Sequence, residues 1–369
     1  MASIKSMGME AGFYPDHYEG SYIDIFSHVN FNFLGTYFPS LKKKVGRTSY
    51  PVGALLAALV LKALMPGGAY RSVESRLEKD IELKLSLGFG INDTPSDSIV
   101  QQFFGKLEVG LLYEVIRVLL EELRLYDLIR GDILAQDSTP IEAHNRPPTK
   151  KCPRPKDPDA AWGFAKCKDG YYYGYKAQTI VDAETNLPVY PIVTPANVSD
   201  QIMVEPFIAP LKTWGFSPKY FLADKGYDSG PNHRRVREEL GSIGLIAVNK
   251  RRGTKKYSRK VTKKYIQLMK QTVLNKFIPL KKREKEYRKC CIVLLDKKPW
   301  KRVKWRRIIS EQVFSRMKET LELERVKVWG LENVTKYVQL KCIAMLTVAL
   351  AAARMDRSDL ARCIRYFQN

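Results

Sequence analysis

Asp137 and Asp224 each follow a short run of apolar, strand-forming residues, Ile133-Leu-Ala-Gln and Tyr220-Phe-Leu-Ala. A sheet fixes the backbone of such an acid while its side chain leans over the rim. Glu311 lies in a third region, where the pattern from Arg307 to about Lys327 predicts a helix. At about 100° per residue, Arg307, Glu311 and Lys318 fall within about 40° of one another on one helical face. Taken singly, each acid has an ordinary structural reading: a strand-end Asp is a turn former or helix cap, and a helix Glu is a surface residue. Phosphodiester chemistry supplies a reason to bring the three together. Two hard divalent cations about 3.5–4 Å apart activate a nucleophile and stabilise the leaving oxygen of an in-line displacement. Mg²⁺ prefers carboxylates and keeps several waters, so a few acids suffice. Without metal the acids repel, so their site is expected to be open to solvent and cations.

The charge distribution points to the same class of substrate. The 369-residue chain has 62 Lys and Arg against 39 Asp and Glu, a net charge of +23. At 45% hydrophobic and 11% aromatic it carries too much apolar surface for a disordered polycation. Residues 250–307 contain 24 lysines and arginines but three acids, Glu284, Glu286 and Asp296, so almost all the excess charge sits there. Tyr257, Tyr265, Phe277, Tyr287, Trp300 and Trp305 are interleaved with these cations. A short basic run is ordinarily a solvated face. A run this long repels itself unless a polyanion neutralises it, which predicts contact with DNA.

The elements that must position the acids are read from periodicity. Residues 1–130 are expected to be helical. Pro51 suits the first turn of a helix over the apolar run that follows. Further helices are predicted over Arg71–Leu87, after Ser96 as N-cap, and over Val109–Leu125. From Gly131 the pattern changes. The strand ending at Asp137 is followed by an exposed loop, Arg146–Pro158, with five prolines. Tyr171–Val181 and Leu187–Thr194 read as a hairpin turning through Asp182–Asn186. A helix over Ser199–Trp214, strand Tyr220–Ala223, helix His233–Leu240 and strand Leu245–Val248 complete an α/β order with a mixed sheet. A closing apolar helix, from about Asn333 to Arg354, is expected to pack on that sheet.

Several motifs together resemble the bacterial insertion-sequence DDE transposases. These are Asp137-Ser-Thr, Gly174-Tyr-Lys-Ala-Gln178, Val193 to Asp200 (VTPANVSD), and Ala223-Asp-Lys-Gly-Tyr-Asp-Ser229. Arg307-x3-Glu311-x6-Lys318 is similar to the later part of that family's Tyr-x2-Arg-x3-Glu-x6-Lys signature. The resemblance extends to SYPVGALLAALVLKAL and YRSVESRLEKD in the N-terminal segment, and so spans most of residues 47–350. The signature tyrosine position is Lys304 here, which removes any tyrosine-specific interaction and keeps the capacity to bind phosphate.

The resemblance implies a ribonuclease-H-like core with Asp137 and Asp224 on adjacent strands and Glu311 on a later helix. It implies that these three acids bind two Mg²⁺ ions, with Mn²⁺ able to substitute. It further implies hydrolysis of DNA at transposon ends, then attack of the 3′-hydroxyl on target DNA without a covalent protein–DNA intermediate. Arg307 and Lys318 match residues that contact the terminal phosphates, and Lys304 joins them as a DNA-binding candidate. The expected organisation is a helical, DNA-end-binding domain over 1–130, a catalytic domain over 131–354 including the basic segment 250–306, and a C-terminal tail over 355–369. The expected partner is double-stranded DNA, both element ends and target, bound by a homodimer assembled on it in the bacterial cytoplasm at the nucleoid.

Two other readings share these features: a ribonuclease-H-fold nuclease that hydrolyses without joining, and a transposase-derived protein that binds DNA without catalysis. Binding alone has no need of three acids in a basic chain, which disfavours the last. A membrane protein is not expected. Val52–Met65 and Ile343–Ala353 are shorter than the roughly 18 apolar residues a span needs, and the N-terminus shows no apolar signal region. The six cysteines form no CxxC pair, so reduced thiols are expected and a zinc site is not. Lys225, His144, His233, Cys290, Cys291 and the tyrosines at 171–173 and 175 are left outside the expected active site.

Overall fold

The computed structural model describes residues 20–34, 50–168, 170–249 and 278–368, together with Lys263 and Gln267. Its sheet is organised on Ile133–Glu142 (β1), whose apolar first half, Ile133 to Ala135, is buried. On one side β1 pairs antiparallel with Gly170–Asp182 (β3), Asp137 lying opposite Thr179. On the other it pairs parallel with Tyr220–Ala223 (β5), and that ladder ends at Gln136 opposite Ala223. Ile243–Ile246 (β6) extends the parallel half. Beyond β3 the strands Ala161–Ala165 (β2) and Leu187–Pro195 (β4) share one edge, β2 along residues 170–174 and β4 along 175–182. Antiparallel hairpins on one side and parallel strands on the other make the mixed sheet of a ribonuclease-H-like fold.

The β3–β4 turn is held by Asp182. Its Oδ1 accepts from Glu184 N at 2.8 Å and Thr185 N at 3.2 Å, while Oδ2 accepts from Arg130 N and Gly131 N, each at 2.8 Å. One buried carboxylate thus closes the hairpin and fixes the start of β1. Asn186 completes the turn with a φ of 63°, a conformation asparagine tolerates.

Local expectations need correction. The helix predicted from Arg307 to about Lys327 ends at Glu319, and that over Ser199–Trp214 is a 3-10 turn, Asp200–Ile202, followed by helix Glu205–Thr213. The strand through Asp137 does not end there: it runs on to Glu142, and what ends is its parallel partner. The predicted helix over 71–87 is two, Tyr70–Lys79 and Ile81–Ser86. Asp80 breaks it with an extended backbone and caps the second helix by accepting from Leu83 N at 2.9 Å. Such capping is the usual competition an Asp offers to helix continuation. Strand β2 is an addition to the expected order. It is short, and its Gly163 marks a close approach in which an added Cβ would lie 2.7 Å from Ala196 Cβ.

The closing helix, Leu331–Arg354, packs on β4 and also on helices Val52–Leu64 and Val109–Leu125. The helical segment and the sheet therefore share one hydrophobic core. Among the described residues this helix alone is long and apolar enough to cross a membrane, but 94% of its most apolar 18-residue window is buried inside the protein. Its buried polar groups find backbone carbonyls: Gln339 Nε2 donates to Val109 O and Lys341 Nζ to Ala63 O, each at 3.2 Å. The latter places a cation at a helix C-terminus, where the dipole favours it.

Gly174, at the crossing of β1, β2 and β3, has a φ of 159°, and a Cβ there would lie 2.1 Å from the Ile141 carbonyl oxygen. Gly174→Ala is expected to cost at least about 1–3 kcal/mol of stability. A chemical denaturation midpoint equal to the parent's would show that the strands can part at no cost.

Candidate active site

Parallel pairing sets the two aspartates side by side. Gln136 and Ala223 are the last register partners of β1 and β5, and Asp137 and Asp224 are the residues that follow. Glu311 stands on helix Ile308–Glu319, which packs across β1 and β3. Arg307, at the N-cap of that helix, ties the two elements together: its guanidinium lies 3.3 Å from Asp137 Oδ2 and 2.8 Å from Glu311 Oε1. The Ser310 hydroxyl sits 2.8 Å from the same Asp137 oxygen and 2.7 Å from the Arg307 carbonyl. Asp137 is thus nearly enclosed, whereas Glu311 is 54% exposed at the mouth.

Burial pushes the Asp137 carboxyl up to about 6, with the Asp224 charge adding to the rise; Ser310, the Ser138 amide and Arg307 oppose it. The folded chain therefore retains a proton that the unfolded chain releases between about pH 4 and pH 6. The stability contribution of this carboxyl falls as pH rises through that window. In metal-free buffer, the melting temperature of Asp137→Asn minus that of the parent is accordingly expected to increase from about pH 4 to above pH 6. A difference independent of pH would mean that Asp137 is not desolvated.

A fourth acid, Asp200, joins the group. Its Oδ1 accepts from Gln178 Nε2 at 2.7 Å and Lys176 Nζ at 3.3 Å, with Ser138 Oγ at 3.5 Å. A Cβ on Gly226 would meet Asp224 Oδ1 at 2.9 Å and Asp200 Oδ2 at 3.3 Å, so the glycine separates two carboxylates. Buried Tyr227 donates to Gln178 Oε1 at 2.6 Å, and its hydroxyl is held far above its ordinary range by burial and by the charges of Asp200, Asp137 and Asp224. Asp200, Lys176 and Gln178 all belong to the GYKAQ and VTPANVSD motifs. The two-residue spacing of Lys176 and Gln178 on β3 was the available signal that these two share a face; Asp200 reaches them from the turn that follows β4. Ser310, a polar residue among core positions of its helix, was the other.

The remaining sequence candidates go elsewhere. Lys318 pairs with Glu324 at 2.9 Å, and Glu324 also holds Lys168 at 3.2 Å. Lys304 lies half-buried on helix Lys298–Trp305 and forms no ion pair with another described residue. His233 is buried with Nε2 2.9 Å from Asp228, which Arg288 holds at 2.8 Å; this cluster fixes the chain after Asp224. Of the basic segment, residues 250–277 apart from Lys263 and Gln267 lie outside the described residues. Its helix Leu280–Leu295 packs on helix Gly230–Glu238 and on β6. Arg283, Arg288 and Arg306 are spent on Glu238, Asp228 and Glu184. Lys281, Lys282, Lys285, Lys298, Lys301 and Arg302 are exposed, beside a Trp305 that is 74% exposed.

Among the described residues no three His, Cys, Asp or Glu side chains stand close enough together to form a metal cage. The donor set nevertheless suits a hard divalent cation. Adjacent carboxylates are its preferred ligands, and the buried Asp137 carboxylate already draws a cation, the Arg307 guanidinium, that bridges it to Glu311.

Comparison with known proteins agrees with this geometry. The family described as Transposase DDE domain matches residues 130–347, from the start of β1 into the closing helix. A second family, Transposase domain (DUF772), matches residues 14–106. Comparison with curated proteins and with solved structures returned no match. The first match covers more than half of the chain and contains all four acids, and the chain belongs to the DDE transposase family, whose members are metal-dependent enzymes acting on DNA.

Proposed function

We propose that this transposase cuts DNA at the ends of an insertion sequence and joins the freed 3′-hydroxyl to target DNA, with Asp137, Asp224 and Glu311 as its catalytic acids. The observation that carries the reading is the convergence on Asp137: Asp137 and Asp224 each follow the last paired residue of the parallel ladder, and Arg307 links Asp137 to Glu311. These three carboxylates would hold two Mg²⁺ ions, or Mn²⁺ in their place; bound metal supplies activation of the attacking oxygen and neutralisation of the leaving one. Arg307 presents a planar fork suited to phosphate as well as carboxylate. It would exchange its carboxylate partners for the terminal phosphate and so position the scissile bond; Lys304, and Lys318 once released from Glu324, would add further contacts to the DNA. The buried surround of Asp137 keeps the reacting phosphate among fixed dipoles.

Around that centre, residues 1–130 would read the element end and 250–306 would carry the DNA backbone toward the acids, within a catalytic unit over 131–354 followed by a short tail. Two copies would assemble on the DNA, in the bacterial cytoplasm at the nucleoid. The reading is tested by incubating purified protein with a labelled element end and a plasmid target, with and without Mg²⁺. Joined product is the expected outcome. A nick without joining would select the nuclease reading, and a mobility shift alone the binding-only reading.

A further inference from the structure

A second concave site, lined by none of these acids, is built between the N-terminal helices and the loop that leaves the Glu311 helix. We infer that this cavity binds one nucleotide unit, with its phosphate on Lys62 and Lys341 and its base against Trp329.

The cavity has a volume of about 400 Å³, within the range of small-molecule sites. Four cations line it, Lys62, Arg325, Lys327 and Lys341, against one carboxylate, Glu322. That carboxylate is already engaged: Oε2 accepts from Gly67 N at 2.8 Å and Oε1 pairs with Arg325 at 2.6 Å. The Lys62 ammonium sits 4.6 Å over the Tyr70 ring and has no carboxylate partner among the described residues. Lys341 is 6% exposed; its ammonium donates to the Ala63 carbonyl and lies 4.9 Å over the Tyr337 ring, and it has no ion pair among the described residues. Two desolvated ammonium groups thus face one space whose one lining carboxylate, Glu322, is committed to Gly67 and Arg325.

Their titration agrees with that geometry. Burial, reinforced by the Lys327 charge, brings Lys62 down to about 8. Burial, reinforced by Lys62 and Lys327 and opposed by Glu322, brings Lys341 down to about 7. An anion in the cavity would remove the repulsion and hold both protons. Phosphate is the anion whose charge and several acceptor oxygens match two or three convergent ammonium groups. The aromatic walls ask for more than phosphate. Trp329, 55% exposed, and Tyr70 offer π-faces to a planar ring, and base–aromatic stacking is worth about 1–3 kcal/mol per base. Gln101 and Asn333 supply amide groups of the kind that meet a base edge.

The nucleotide could come from solution or from a DNA end, and the experiment separates the two. The full chain in metal-free buffer is titrated with deoxyadenosine monophosphate, deoxyadenosine and inorganic phosphate, reading tryptophan fluorescence. A saturable response is expected with the monophosphate, weakened about tenfold or more when either base or phosphate is missing. Lys62→Gln should weaken monophosphate binding by about tenfold, as should Lys341→Met, while Trp329→Phe should abolish the signal. Lys62 is only half-buried, so its substitution keeps the test valid if Lys341→Met fails to fold. A duplex carrying 2-aminopurine at its terminus brightens on binding the parent, but not Lys62→Gln, if the DNA end is the source. With a free nucleotide as the source, its fluorescence is the same with both proteins. Absence of a saturable response to the monophosphate, or an equal response in Lys62→Gln, would overturn the proposal.

Discussion

Asp137→Asn, Asp224→Asn and Glu311→Gln are each expected to lose Mg²⁺-dependent cleavage of an element end while keeping their fold and most of their affinity for DNA. The loss should exceed the roughly hundredfold that removal of an outer-shell partner costs a metal site. Affinity should survive because the exposed lysines proposed to meet most of the phosphates, Lys281 to Lys301, are borne by other elements. Folding survives for different reasons at each position. Glu311 is exposed, and Asp224 stands just past the last residue of its strand. Asp137 in its charged form is opposed by burial, so its amide removes a desolvated charge as well as an acceptor. Near-parent cleavage by any one variant, measured on a labelled end at saturating Mg²⁺, would remove that residue from the catalytic set.

Replacing Lys281, Lys282, Lys285, Lys298 and Lys301 with glutamine flattens the salt dependence of DNA binding. The slope of log affinity against log salt should fall by about 0.9 for every phosphate that is no longer neutralised, on end and random duplexes alike. These lysines are exposed and have no ion-pair partner among the described residues, unlike Arg283 and Arg288, which are committed to Glu238 and Asp228. Arg307→Ala is the informative contrast, since it bridges two of the acids: it should lose cleavage and end positioning far more than general affinity. An unchanged slope after the lysine substitutions would mean that the segment's charge merely faces solvent.

The mixed sheet, its β3–β4 hairpin and the strands before Asp137 and Asp224 were legible because these are short apolar, β-rich runs, and the adjacency of the two aspartates because the motifs around them resemble a known family. The helix over Val109–Leu125 follows from its 3.6-residue period alone. What periodicity does not carry is the length mismatch between paired strands. β1 continues past Asp137 while β5 stops at Ala223, and this difference, not a strand terminus, presents the aspartate. Capping is equally local: Asp80 divides a continuous apolar pattern because one side chain satisfies the next helix's amide. The Arg307 bridge joins two elements and the Asp200 cluster more than two, and such meetings of side chains are recorded in no single segment. The charge of residues 250–307 was visible as a total, yet its division between ion-paired arginines and exposed lysines is a property of packing.

A single measurement bears most directly on the claim that one acidic centre performs both cutting and joining. An element end already cut, ending in a labelled 3′-hydroxyl, is given to the parent protein and to Asp137→Asn with plasmid target and Mg²⁺. The expected result is joined product with the parent, none with the variant, and none with either protein when the end carries a 3′-deoxy terminus. Joining by Asp137→Asn at the parent rate, or an absence of joining by a parent that cuts, would contradict the claim.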